Sequence, residues 1–92
     1  MNYEIIFLGN CIRDPFIKIS YINNCNSKEE ALKEFIKRNN DKDFFKKENK
    51  NEMEYSFDDL IEEIELNFDL KVICIINSNS QFEEEYSWIN PN

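Results

Sequence analysis

Carboxylates are the reactive groups this chain has in quantity. Its nineteen Asp and Glu residues include the neighbours Asp58-Asp59 and Glu62-Glu63 and the triplet Glu83-Glu84-Glu85. Such pairs can share a proton, work as general acid and base, or ligate a hard cation. Cys11, Cys25 and Cys74 add three thiols. Against this stock stands the absence of histidine, which removes histidine-based triads, His-containing zinc sites and the usual neutral-pH proton shuttle. No base is placed to activate Cys11, and Gly9 is the only glycine, so no glycine-rich loop can hold phosphates. The acid pairs fall on a predicted helix rather than in a loop with EF-hand spacing. The expectation is a protein that is not an enzyme, with no catalytic residue, metal site or cofactor.

The cysteines are odd in number and match neither a zinc pattern nor a CxxC pair. They read as reduced thiols of a cytoplasmic protein, with Cys74 filling core space. Glu4 follows the first residue too closely for a secretory signal, and no apolar run is long enough to span a bilayer. Arginine occurs only at Arg13 and Arg38 amid abundant Asn, Ile and Lys, the usage expected of a gene rich in A and T.

Elements that could position these groups follow from hydrophobic spacing. Leu70 to Ile76 is the densest β-branched run and reads as the central strand, buried on both faces. Tyr3 to Leu8, closed by Gly9, and Phe16 to Ile22 read as an antiparallel hairpin. In the second of these strands Ile17, Ile19 and Tyr21 share one face, and Lys18 and Ser20 share a face predicted to be wet. Ser27 and Glu30 form a capping box for a helix whose stripe is Ala31, Leu32, Phe35 and Ile36, with Glu29–Lys33 and Glu34–Arg38 spaced for exposed pairs. Residues 41–54 read as an exposed loop. The mixed signs around Lys42, Lys46, Lys47 and Lys50 argue against a nucleic-acid patch there.

Ser56 and Asp59 cap a second helix, Tyr55 is placed to staple to Leu60, and Phe57, Leu60, Ile61, Ile64 and Phe68 make its buried face. Its opposite side is acidic: Asp58, Glu62, Glu65 and Asp69 lie along one stripe with Asp59 and Glu63 beside it. The tail, Gln81 to Ile89, reads as a strand reached through a tight turn at Asn77 to Ser80; a helix capped by Ser80 and Glu83 is the competing reading. Together these predict one domain over residues 1–92. Its fold class is α+β, a small, mostly antiparallel three- or four-stranded sheet with two helices packed on one face.

Charge is distributed unevenly. Residues 51–92 carry eleven acids and one base, whereas residues 1–27 balance and residues 28–50 are slightly basic. If the second helix and the tail lie side by side, Asp58, Asp59, Glu62, Glu63, Glu65 and Asp69 join Glu83, Glu84 and Glu85 in one field, with Tyr86 and Trp88 as aromatic anchors. Such a field repels nucleic acid and attracts a basic protein. The function this implies is inhibition of a basic partner, most concretely by an immunity protein that occludes the active-site groove of a cognate toxin such as a nuclease. A phage-encoded inhibitor of a host nucleic-acid defence complex and a structural or adaptor homodimer are the alternatives.

Overall fold

The computed structural model describes residues 1–9, 13, 15–39, 52–78 and 87–89. These form β1 (Asn2–Gly9), β2 (Ile17–Ile22), α1 (Lys28–Asn39), a 3-10 turn (Glu52–Glu54), α2 (Phe57–Phe68), β3 (Leu70–Ser78) and β4 (Ser87–Ile89). All pairings are antiparallel, in the strand order β3-β1-β2-β4. The fold is therefore the predicted α+β sandwich. Most of the predicted loop, 41–54, lies outside the described residues.

The hairpin forms as its residues suggest. Leu8 pairs with Ile17, and the amide of Gly9 donates to the carbonyl of Phe16 at 2.8 Å. Beyond β2 the chain is tied back to the sheet's other end. Cys25 donates its amide to the Met1 carbonyl at 2.9 Å, and Asn24, in left-handed geometry (φ 62°), donates to Oδ1 of Asn2 at 3.0 Å. Asparagine tolerates that geometry better than most residues.

Helix α1 is capped by Ser27, whose Oγ accepts the Glu30 amide at 3.1 Å. The Glu30 carboxylate reaches one residue further back than a capping box requires and takes the amide of Asn26 at 3.0 Å. Glu34 and Arg38 approach to 3.5 Å.

Both helices cover one face of the sheet. Tyr3, Ile5 and Phe7 of β1, Ile22 of β2 and Leu70 of β3 are buried against Ala31, Leu32, Phe35 and Ile36 of α1 and Leu60 and Ile64 of α2. The Phe35 ring stands at the junction, 4.5 Å from the Phe7 centroid and edge-on to Phe68 at 5.3 Å. Aromatic rings at such distances add attraction beyond their buried area.

Three expectations are overturned. The β-branched run is an edge strand: β3 pairs with β1 alone among the described residues, and β1 is central. A bulge between Ile6 and Phe7 in the register leaves Ile73 without a partner position, and Ile73 and Ile76 remain 52% and 45% exposed. Cys74 is likewise exposed rather than core. Hydrophobic density measures how much a strand could bury, not how many neighbours it receives.

Second, β2 is turned over relative to its predicted orientation. Ser20 is fully buried and Lys18 only 5% exposed, whereas Ile17 is 43% exposed. Pairing fixes this, since Ser20 lies opposite Ile5 and Lys18 opposite Phe7, and paired residues share a face. Third, Asn77 and Ser78 belong to β3 instead of a hairpin turn, and β4 pairs with β2 at the other edge of the sheet.

Candidate protein-binding surface

The acidic stripe is built on α2, so its geometry begins with what starts and stops that helix. Ser56 Oγ accepts the Asp59 amide at 3.2 Å, and the Asp59 carboxylate accepts the Ser56 amide at 3.0 Å, a complete capping box. Tyr55 and Leu60 both enter the core, as a staple across the cap requires. At the other end Asp69 adopts the left-handed conformation (φ 56°) and donates its amide to the Glu65 carbonyl at 3.1 Å.

These contacts sort the six predicted carboxylates by role. Asp59 is engaged in the cap. Glu63 accepts from Asn67 Nδ2 at 3.0 Å, and the same amide reaches the Glu63 carbonyl at 2.9 Å. Asp58, Glu62, Glu65 and Asp69 are exposed and recur at helical spacing along one stripe. No base stands in the last turn of α2, and none occurs anywhere between Ser56 and Leu70.

Asp69 breaks two local preferences at once. A left-handed C-terminal residue favours glycine, and the negative end of a helix disfavours a carboxylate. Glu65 shares the second penalty. Local rules are typically broken where function sets the residue.

Beside the stripe stands Leu66, 73% exposed. Sequence reading passed over it because it falls outside the buried periodicity of α2. That mismatch was itself the signal: an apolar residue out of phase with the core and surrounded by acids. The other flank of the stripe borders a groove of about 320 Å³ between α2 and the outer edge of β3, lined by Phe57, Asp58, Ile61, Val72, Ile73 and Ile75, among others. Apolar positions ringed by charge are the composition of a binding hot spot.

Of the tail's predicted contribution, only Trp88 lies among the described residues, and its register position stands apart from this surface. Trp88 takes a register position opposite Ile19, on the β2 edge, whereas α2 packs against β3 at the far side of the sheet. Strands β1 and β2 separate the two, so β4 does not flank α2 as expected. Glu83, Glu84, Glu85 and Tyr86 lie outside the described residues, as does Cys11.

Among the described residues, no three His, Cys, Asp or Glu side chains are grouped to hold a metal, and no helix is long and apolar enough to cross a membrane. What the arrangement offers chemically is a row of fixed negative charge with apolar contact points on both sides. No family model, curated protein or solved structure matches this chain.

Proposed function

We propose that this chain is a small acidic inhibitor that binds a basic protein, acting in the cytoplasm as an immunity protein against a cognate toxin such as a nuclease. The observation that carries this reading is Leu66 standing exposed beside the carboxylates of Asp58, Glu62, Glu65 and Asp69. The stripe runs about 16 Å along α2, enough to lie in a groove that evolved to hold several phosphates. Its carboxylates stand in for those phosphates and steer the encounter, while Leu66 and the groove beside β3 supply desolvated contact. Inhibition follows from occlusion: with α2 seated in the groove, substrate has no access. The role is one of binding, not catalysis, and it does not rely on Tyr86, Trp88 or the Glu83–Glu85 triplet.

The test begins with affinity capture from the native host at low and high salt, followed by titration of the purified partner's activity. The expected result is a basic partner, inhibited stoichiometrically, whose affinity falls with salt and collapses in D58K/E62K/E65K. Capture of no basic protein, or inhibition indifferent to those three reversals, overturns the proposal.

A further inference from the structure

The sheet has a second face, opposite the helices, and its composition is unusual for a surface exposed to water. Alternation places Ile6 and Leu8 of β1, Ile17, Ile19 and Tyr21 of β2 and Ile76 of β3 there, with Cys74 and two charges, Glu4 and Lys71. Register arranges them in three rows across the strands: Tyr21–Glu4–Ile76, then Ile19–Ile6–Cys74, then Ile17–Leu8–Lys71. Polar residues of β2 have gone to the helix side, so this face keeps the isoleucines. Ile17 and Ile76 are exposed and Ile6, Leu8, Ile19 and Tyr21 half-buried, and a contiguous apolar area that reaches solvent in this way marks an interaction site.

We propose that this open face is a homodimer interface, in which two sheets pack face to face about a two-fold axis running across the strands through the Ile19–Ile6–Cys74 row. Charge selects the occupant. The protein as a whole carries −8, yet among the described residues this face holds one acid and one base, in rows equally far from Ile6 along the strands. Within one copy Glu4 and Lys71 are about 13 Å apart along the strands, too far to pair, and neither side chain has a partner among the described residues.

Rotation about the proposed axis brings the Glu4 row of one copy over the Lys71 row of the other, giving two ion pairs per dimer. An axis parallel to the strands would instead oppose Glu4 to its own copy. A strongly basic or acidic partner finds no net charge here to recognise, whereas a second copy finds its complement.

Face-to-face packing also leaves both α2 helices outermost. Two sheets about 10 Å apart, each backed by a helix layer, put them about 30 Å from each other, several Debye lengths at physiological salt. Dimerisation is therefore compatible with the overall acidity and leaves the carboxylate stripe and Leu66 on α2 uncovered, while Cys74 borders both the dimer face and the groove beside β3. The face spans about 400 Å² in projection, below the ~800 Å² per partner of a tight complex, so the dimer is expected to be weak and concentration-dependent.

Sedimentation equilibrium of the full chain from low to high micromolar concentration tests this. The mass should rise from 11.1 kDa towards twice that value. E4K and K71E should each weaken association about tenfold, while the swap E4K/K71E restores it; I17D should abolish it, with circular dichroism checking that each variant is folded. In a C11S background a short bismaleimide should join Cys74 to the Cys74 of the second copy, since the axis passes through that row. A chain that stays monomeric throughout overturns the proposal and leaves the face to another part of the chain or to a different protein. A dimer that E4K, K71E and their combination weaken alike overturns the stated axis.

Discussion

The ammonium nitrogen of Lys18 lies 5.9 Å from the centre of the Phe35 ring, in the layer between sheet and helices. The ring face attracts the cation, but removal from water weighs more, and burial lowers the Lys18 pKa below its ordinary 10.5. The folded state therefore holds this proton less tightly than the unfolded one. Its destabilising effect is full below the folded pKa and is relieved as pH rises towards 10.5. Replacing Lys18 by Met, which keeps the stem and removes the charge, should stabilise the fold by about 1 kcal/mol at neutral pH. That advantage should shrink on approach to pH 10.5, measured as the difference between wild-type and K18M denaturant midpoints.

Gly9 is required by contact. A Cβ on it would overlap three carbons of the Phe16 ring, well inside van der Waals contact, while the Gly9 amide holds the Phe16 carbonyl. The ring cannot simply move off, because Phe16 packs against the core. G9A should cost about 1 to 2 kcal/mol by chemical denaturation. The cost should fall sharply in an F16A background, the non-additivity expected of residues in contact.

Helix α2 is pinned at one end and compromised at the other. S56A removes the acceptor for the Asp59 amide and should cost about 1 kcal/mol. Asp69→Gly should act oppositely, relieving a left-handed aspartate and a carboxylate at the helix's negative end, for a gain of about 1 kcal/mol in thermal unfolding. The proposed function adds that D69G weakens partner binding while it stabilises the fold.

Leu66 separates a solubilising surface from a binding one. Being exposed, it contributes little to folding, so L66A should shift the melting temperature only marginally. Its affinity for the captured basic partner should fall about tenfold or more, the size expected of a hot-spot side chain. The loss should persist at high salt, whereas the effect of E62K should shrink as salt screens it. Calorimetric titration at two ionic strengths measures both.

Much of the fold was legible along the chain because its cues are local. Ser27 and Ser56 stand three residues before carboxylates that accept backbone amides near the cap, and Ile64 and Leu32 fall in phase with their helices. Alternation in Phe16 to Ile22 correctly separated Ile17, Ile19 and Tyr21 from Lys18 and Ser20. It carried no label for which set faces the helices. Of the candidate site, the stripe Asp58, Glu62, Glu65 and Asp69 could be read from spacing alone, whereas the engagement of Asp59 and Glu63 and the prominence of Leu66 required the folded helix.

The sequence by itself determined the α+β class, the helix caps and the acidic side of α2, since propensity, capping and 3.6-residue periodicity act within a few residues of one another. Only the tertiary structure decided strand order and sidedness. Leu70 to Ile76 is the most hydrophobic run, yet among the described residues it pairs with Asn2–Gly9 alone and so stands at the edge. Lys18 and Ser20 went inward because Phe7 and Ile5, opposite them, were already committed to the helices. A strand's place depends on which partners its backbone finds across the chain, and that choice, not the strand's own composition, gave this protein an apolar sheet face turned away from its core.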